Sequence, residues 1–418
     1  MSAHTLDRGS WPAPARPVRI VHIGIGNFSR AHQAWYTMAA DSDHEWGISA
    51  FTGRRPDAAE ALGPQQGLYT LIERGNERDS LSVIEVVSEV LPGSDLDHFT
   101  ATVAAAQTAL VTLTVTEAGY RPGAAPPQRL ATALVERHRR HAGALAIVSC
   151  DNLHRNGEVL RERVIAAAEP IDAEAAGWID REVSFVSTSV DRITPRITDA
   201  DRALVVRELG LEDAAPVVTE PFSDWILSGE FPAGRPEWEL AGARFVRDIE
   251  PWELRKLWML NGAHSLLAFL GLPRGHTTVA DAIGDGELVQ AMQRFWDLAG
   301  PLLPNAAELE LDAYRAQLYG RFANARMGYP LAQIAGDGLD KLRQRVVPVI
   351  KAAQRAGVPA APAVCVVRAW ARWLIGDPAR AGSDQSAELL QRVLGAGGGD
   401  DTMRGLLELV GLPELEIE

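Results

Sequence analysis

Cysteine is scarce in this chain. Cys150 and Cys365 are the only two in 418 residues, they lie far apart, and neither has ligand-type neighbours. A disulfide framework and a zinc site therefore find no support, and a reducing compartment is the natural reading. Long apolar runs are also missing. None is long enough to span a bilayer, and the opening MSAHTLDRGSWPAPARP lacks the apolar core of a signal peptide. Both absences point to a soluble protein of the cytoplasm. Positive charge is in deficit, with 41 Lys and Arg against 55 Asp and Glu and a formal net charge of −14. That balance argues against a general nucleic-acid binder, which needs a basic face for phosphates, and against an anionic membrane surface. It leaves room for a local basic pocket that takes an acidic metabolite.

What is present is ordinary globular composition, 46% hydrophobic and 23% charged, so the default is a packed core. The length suits two or three domains. The first 17 residues are polar and rich in Pro and Ala, and read as a mobile arm. From residue 18 short apolar runs alternate with helical stretches. VRIVHIGIG, WGISAFTG, ALVTLTVT, ALAIVSCD and VSFVSTSV are strand-like, whereas SRAHQAWYTMAA, DLDHFTATVAAAQ, PPQRLATALVERHRRHAG and GEVLRERVIAAAE are helical. YTLIERG and SLSVIEVVSEV suggest a hairpin set on the sheet edge. Repeated β–α–β with apolar strands predicts a mostly parallel sheet covered on both faces.

Beyond about Pro251 strand signals nearly vanish and segments of helical length follow, among them PWELRKLWMLNGAHSLLAFLGL, ELVQAMQRFWDLAG and LDKLRQRVVPVIKAAQRAG. The division is therefore an arm over 1–17, an α/β, Rossmann-like dinucleotide-binding domain over 18–248, and a mainly α-helical substrate and catalytic domain over 249–418. GAGGGDD near residue 398 reads as a loop.

Gly24 and Gly26 stand directly after a strand and before a helix, where backbone N–H groups can approach a pyrophosphate. Ser29 replaces the third glycine of the GxGxxG fingerprint. A plain structural turn uses glycines in the same way, so two readings of this loop stand. The second strand ends in Thr52-Gly53-Arg54-Arg55, with no acid before Asp57 to hold the adenosine ribose of NAD. Arg54 and its neighbour can grip a ribose 2′-phosphate, favouring NADP, or belong to a solvated loop.

PWELRKLWMLNGAHS carries Glu253, Lys256, Asn261 and His264, which at about 100° per residue fall within roughly a 140° arc of one helix. Polar groups on an otherwise apolar helix need partners or a purpose. As a carbonyl-reducing site, Lys256 gives and takes a proton, Asn261 donates to the developing alkoxide, His264 holds a neighbouring hydroxyl and Glu253 relays protons. The alternative is a surface Lys–Glu pair, an ordinary Asn and a packed His.

KLWMLNGAHS resembles the signature of the long-chain mannitol dehydrogenases. GIGNFSRAHQAWY, GLYTLIERG, LTVTEAGY, SCDNLHRNG, SVDRITP and EPFSDWILSGEFPAGRPEWELAGARFV are similar to segments of that family in the same order. They cover most of residues 18–270, and the similarity continues more weakly through DGLDKLRQR. The resemblance implies a Rossmann-like domain, a helical domain and a metal-independent hydride transfer between NAD or NADP and a secondary alcohol of a sugar alcohol or sugar acid. It makes Lys256 the acid/base, Asn152 and Asn261 the pair that polarises the carbonyl, His264 a substrate-positioning residue and Glu253 the acid near the lysine. It places Asp191 and Arg192 beside the site, and Lys341 where a basic substrate contact falls. Cofactor contacts fall at Gly24, Gly26, Asn27, Phe28 and Arg54, with Thr116 and Glu117 facing the nicotinamide half. A monomer fits the resemblance.

Gln333 stands eight residues before Lys341, where mannitol-type members carry Arg, and DGLDKLRQR resembles the fructuronate and tagaturonate reductase branch instead. The expected substrate pairs are fructuronate–mannonate, fructose–mannitol and fructose 6-phosphate–mannitol 1-phosphate. Asn152 has an alternative role capping the following helix, and Asp191 with Arg192 an alternative as a structural ion pair. A nicotinamide-binding sensor without catalysis is the competing functional class.

Overall fold

The computed structural model describes residues 4–395 and 398–415, which form two units, Met1–Ile249 and Glu250–Glu418. Among the described residues the N-terminal unit has thirteen strands. In chain order they are β1 (His4–Thr5), β2 (Val18–Ile23), β3 (Gly47–Phe51), β4 (Tyr69–Arg74), β5 (Asp79–Ile84), β6 (Val87–Leu91), β7 (Leu110–Leu113), β8 (Ala146–Ser149), β9 (Ser184–Asp191), β10 (Leu211–Glu212), β11 (Val217–Thr219), β12 (Asp224–Ser228) and β13 (Arg244–Phe245).

Eight of them make one sheet in the order β13-β12-β9-β8-β7-β2-β3-β6. All neighbours run parallel except β12, which pairs antiparallel with β9. Strands buried on both faces read as continuous apolar runs rather than alternating ones, and β2 and β8 show why. Ile20 and Val148 enter one core; Val21, Ile23 and Ile147 enter the other. The second core is closed by helices Ala125–Arg139, Asn156–Ala168 and Ala173–Glu182 through Leu130, Leu134, Leu160, Val164 and Ile179. The first is closed by Ala31, Ala34 and Tyr36 together with Trp225 and Trp238. The chain order reverses direction between β2 and β7. In open α/β sheets that is where ligands bind, outside the carboxyl ends of the strands.

The fold corrects three expectations drawn from the sequence, two of them in this unit. The Tyr69–Leu91 strands do not all lie on the edge of the main sheet. β4 and β5 form their hairpin in a separate three-stranded sheet with β11, and only β6 reaches the main edge, beside β3. The mobile arm is also wrong for residues 4–17. β1 pairs with β10, and Leu6 is fully buried with Leu68, Val83 and Leu211. The Arg8 guanidinium donates to the carbonyls of Ala13, Gln66, Glu85 and Val87. Arg16 forms a buried ion pair with Asp41 at 2.6 Å. Polar composition concealed this docking, because a few apolar side chains, Leu6 and Trp11 among them, and two arginines do the anchoring.

Among the described residues the C-terminal unit is helical, its one β-bridge joining Thr278 and Pro330. Long helices Gly286–Ala299, Leu311–Phe322 and Ala361–Gly376 form its body. The glycine-rich patch is not wholly a loop, since Gly399 opens helix Gly399–Val410 with Asp400 and Asp401 in its first turn. Carboxylates there suit the positive end of the helix dipole. No described helix is long and apolar enough to cross a membrane.

Docking of the N-terminal segment makes a direct prediction. Leu6→Ala should lower stability by about 2–4 kcal/mol, the usual cost of emptying a fully buried leucine site. Urea unfolding followed by tryptophan fluorescence checks it, and an unchanged midpoint would show that residues 4–17 do not support the fold.

Candidate active site

The glycine loop leaves the C-terminal end of β2. Gly24 has φ +92°, and a Cβ there would lie 2.1 Å from the Thr114 carbonyl, so both the backbone angle and the close approach demand glycine. The loop's first donors are used internally: the N–H groups of Gly24 and Ile25 donate to the Phe51 carbonyl and that of Gly26 to Ser29 Oγ. Ser29 therefore acts as a cap in place of the third glycine. The helix Asn27–Ala31 begins at this point, and the first N–H groups of a helix have no intrahelical partner. Those of Asn27 and Phe28 open the helix that follows the carboxyl end of β2, a position that fits a pyrophosphate. Beneath the loop, His22 is buried against Thr112 Oγ1 at 2.8 Å and Thr114 Oγ1 at 3.3 Å. Burial pulls its pKa down to about 4, so it is neutral.

At the end of β3, Thr52 is buried and its Oγ1 accepts from Gly93 N–H. Arg54 is exposed, and no hydrogen bond or ion pair ties it to a described residue. Arg55 reaches Asp57 only at 3.7 Å, with both exposed. The loop thus carries free positive charge and no carboxylate at the strand end itself.

Thr116 and Glu117 are exposed just beyond β7, where Thr116 leads into the short helix Glu117–Tyr120. That turn is tied to β8 by Asp151, which accepts from Val115 N–H and from the Tyr120 hydroxyl, both at 2.5 Å. Burial pushes the Asp151 carboxyl up to about 7, against the two donors that hold it charged. Asn152 follows, exposed, at the carboxyl end of the sheet. It does not cap the next helix, whose cap is Arg155 in a left-handed conformation, its side chain paired with Glu158 rather than making a capping bond. Asn156 does the structural work instead: its amide donates to the carbonyls of Asp151 and Thr188 and accepts from Thr188 N–H. Sequence reasoning missed Asp151, Tyr120 and Asn156. The only signal for Asp151 is its place beside Asn152.

Asp191 ends β9 and is buried. The substrate role expected for Arg192 is corrected. Its side chain is 0% exposed, donates to the carbonyls of Glu220 and Ala31, pairs with Glu73 and stacks over Trp35 at 4.4 Å. A guanidinium committed on every side has nothing to offer a sugar. Nor is it the partner of Asp191; the carboxylate it meets is that of Glu73.

In the C-terminal unit the lysine segment departs from α geometry. Glu250–Arg255 is α-helical, Lys256–Gly262 is a π-helix and Ala263–Gly271 returns to α. In an α-helix Lys256 and Asn261 would sit about 140° apart, at the two edges of the polar arc. In a π-helix five residues close one hydrogen-bonded turn, which brings the two onto one face. Side-chain donors hold the widened turn. Trp296 Nε1 donates to the Met259 carbonyl at 2.7 Å and Ser265 Oγ to the Asn261 carbonyl at 3.2 Å. A Cβ at Gly262 would fall 2.8 Å from the Phe295 ring and 3.4 Å from the Arg345 carbonyl, so the glycine lets two neighbouring helices close on the segment. A glycine after an asparagine inside an apolar helix is costly, and that cost was the available signal.

Glu253 is buried, Lys256 and Asn261 are half-buried, and His264 is buried with its ring 4.7 Å from that of Phe322 and 5.6 Å from that of Tyr329. Lys341 is half-buried, and its Nζ donates to the Ile334 carbonyl at 3.1 Å and the Gln333 carbonyl at 3.4 Å. It closes the end of helix Leu331–Ala335. Gln333 takes part through its backbone.

Two outcomes follow from this geometry. Gly262→Ala should cost about 1–3 kcal/mol through overpacking against Phe295 and cut turnover while nicotinamide affinity holds. Gly286→Ala, where a Cβ meets nothing within 4 Å, is the control. Equal effects of the two changes would remove the packing argument. For Asp151 the folded pKa lies above the ordinary 3.8, so the folded chain binds that proton more tightly than the unfolded chain. Its contribution to stability is complete below about pH 4 and is lost as pH rises through 7. Relative to Asp151→Asn, the wild type should lose stability on the order of a few kcal/mol across that window. Parallel melting curves from about pH 4 to 8 would contradict this.

Residues 18–240 match the mannitol dehydrogenase Rossmann domain and residues 248–409 the mannitol dehydrogenase C-terminal domain. The D-mannonate oxidoreductase of Escherichia coli K12 is 34% identical, over 97% of this chain and 90% of its own. A mannitol 2-dehydrogenase of Phaeosphaeria nodorum is also 34% identical, over 85% and 69%. Among solved structures, Pseudomonas fluorescens mannitol 2-dehydrogenase in ternary complex with NAD and D-mannitol matches with a TM-score of 0.78 and 31% identity, over 99% of this chain and 92% of that one. D-sorbitol dehydrogenase in substrate-free form matches at 0.84 and 26%, over 96% and 88%. With both of its domains matched along nearly the whole sequence, the chain belongs to the mannitol dehydrogenase family of oxidoreductases.

Proposed function

We propose that this oxidoreductase reversibly interconverts a secondary alcohol of a polyol or aldonate with the corresponding ketose or keto-uronate, using NAD. The observation that carries this reading is the π-turn at Lys256–Gly262, which sets Lys256 and Asn261 on one face ahead of His264. π-Turns are rare and occur frequently at functional sites. The similarity to a D-mannonate oxidoreductase and to mannitol 2-dehydrogenases supports the substrate class.

Asn27 and Phe28 would hold the pyrophosphate through their N–H groups, with Gly24 and Gly26 shaping the loop and Thr116 and Glu117 near the nicotinamide half. The nicotinamide, when bound, would supply a hydride in its reduced form for reduction and accept one in its oxidised form for oxidation. Lys256 protonates the sugar oxygen during reduction and removes that proton during oxidation. Asn261 donates to the same oxygen and stabilises its partial negative charge, and by the family resemblance Asn152 is a second such donor. His264 positions a neighbouring hydroxyl, Glu253 passes the proton to and from Lys256, and by the family resemblance Asp191 is a further polar residue for the substrate. The free charge at Arg54 favours acceptance of a ribose 2′-phosphate as well, so NADP is a second cofactor to test.

Loss of nicotinamide absorbance with NADH and NADPH tests the reading, against fructose, fructuronate, tagaturonate and fructose 6-phosphate. Turnover of at least one sugar is expected, and a chelator should not abolish it. Inactivity on the whole panel, with tight NADH binding, would favour a sensor instead. Lys256→Ala should lower kcat by about 100- to 10,000-fold while NADH still binds. Normal turnover in that variant would remove the acid/base assignment.

A further inference from the structure

One cation in the C-terminal unit is drawn out of water without a partner among the described residues. Arg345 ends the helix Gly338–Arg345, which packs against the Lys256–Gly262 turn. Its own carbonyl would lie 3.4 Å from a Cβ on Gly262, the residue that follows Asn261. The side chain is half-buried, its Nε has no hydrogen-bond partner, and no described residue gives the guanidinium a hydrogen bond or an ion pair. Its electrostatic neighbour is the phenol of Tyr329, and burial lowers its pKa to about 10. The Tyr329 ring in turn lies edge-on to His264 at 5.6 Å.

Arg137 and Arg192 are drawn into the protein as well, but their donors are used. Arg137 donates to carbonyls of Val103, Ala105, Ala142, Gly143 and Ala144. Arg192 is committed to Glu220, Ala31 and Glu73. Arg129, whose Nε and Nη2 also lack a hydrogen bond, instead lies over the Phe99 ring at 4.7 Å. Arg345 differs from these in having none of these contacts.

A charge taken out of water without a counter-charge is costly, and proteins pair such groups or give them a purpose. One turn earlier Lys341 adds a second positive charge, which repels Arg345. Two of the three Lys341 ammonium protons are taken by the Gln333 and Ile334 carbonyls. The acids that oppose Lys341 are engaged by backbone amides: Asp337 by Gln385 N–H, and Asp384 by Leu339 and Ser386 N–H. In a chain of net charge −14, Arg345 stands beside the lysine turn with no carboxylate among its electrostatic neighbours, a local exception, whereas Asp337 and Asp384 offset the charge of Lys341.

From this cluster we infer that Arg345 binds the carboxylate of a sugar-acid substrate, with Lys341 beside it. The inference rests on the proposed dehydrogenase function and narrows its substrate to the aldonate and keto-uronate class. A planar guanidinium fork matches a carboxylate through two parallel hydrogen bonds, which a compact ammonium does not. Arg345 acts as a specificity residue, and Lys256 remains the group that moves the proton.

Three variants of the full chain test it: Arg345→Gln, Arg345→Lys and Arg345→Met. With NADH, kcat/KM for fructuronate should fall by roughly 30- to 1000-fold in Arg345→Gln, mainly through KM, while any turnover of neutral fructose stays within about twofold. Arg345→Lys should recover only part of the loss. Melting is the second readout. Removing an unpaired buried charge should leave the Tm of Arg345→Met unchanged or raised, whereas a structural arginine would make it fall. Calorimetric titration of D-mannonate is the third, with affinity expected to weaken at least tenfold in Arg345→Gln.

Equal losses on fructose and fructuronate together with a lower Tm would overturn the inference and make Arg345 a packing residue. Wild-type activity confined to neutral sugars, with mannonate bound alike by both proteins, would overturn it while leaving the dehydrogenase reading intact. Fructose 6-phosphate as the sole anionic substrate, lost in Arg345→Gln, would also overturn it and assign the guanidinium to a phosphate. Inactivity on every sugar would sink the proposed function; mannonate binding that depends on Arg345 would then still support the carboxylate contact.

Discussion

The widened turn at Lys256–Gly262 is the constraint on which the candidate site depends. An α-helix would carry Lys256 and Asn261 to opposite edges of its polar arc. The π-turn gathers them, and it persists because neighbours satisfy it. Trp296 supplies a donor to the Met259 carbonyl and Ser265 one to the Asn261 carbonyl. Gly262 removes the one Cβ that would push Phe295 and the Arg345 backbone away. An irregular helix is ordinarily a weak platform for side chains. This one is clamped by one indole, one hydroxyl and the absence of one methyl group.

The N-terminal unit solves a related problem by another route. Its parallel sheet is apolar on both faces, so strand ends are the natural place for polar chemistry. The ends of β2, β7 and β8 are locked to one another: Thr114 Oγ1 donates to the Gly24 carbonyl, Val115 and Tyr120 donate to Asp151, and Asn156 joins Asp151 to Thr188. Asn152, Thr116 and Glu117 stay exposed on top of this lattice. Rigidity beneath and exposure above is the arrangement a cofactor site needs.

Arginine shows how one residue type serves two purposes. Arg8, Arg137 and Arg192 each bridge several backbone carbonyls and hold segments distant in sequence. They are fold elements, whatever their charge suggests in a sequence. Arg345 is drawn out of water as a fold element is, but without the partners. The distinction lies in how many acceptors are within reach, and no pattern in DGLDKLRQR encodes that.

Much of this protein was legible without coordinates. Alternating apolar runs and helices specify a doubly covered parallel sheet, because the period of burial is written residue by residue. The glycines after β2 mark a turn that no side chain can enter, and the disappearance of strand signals past Pro251 marks the helical unit. The segments shared with the mannitol dehydrogenases brought Lys256, Asn152, Asn261 and His264 forward together. Tertiary structure decided the rest. It docked residues 4–17 through Leu6 and Arg8, buried Arg192 away from any sugar, turned Lys341 onto two carbonyls and widened the lysine helix. Lys341 apart, whose acceptors are seven and eight residues away, each of these outcomes depends on an acceptor, a ring or an empty space contributed by residues far along the chain. Local sequence sets which residues are buried and with what period; only the folded chain sets which partner each buried polar group meets.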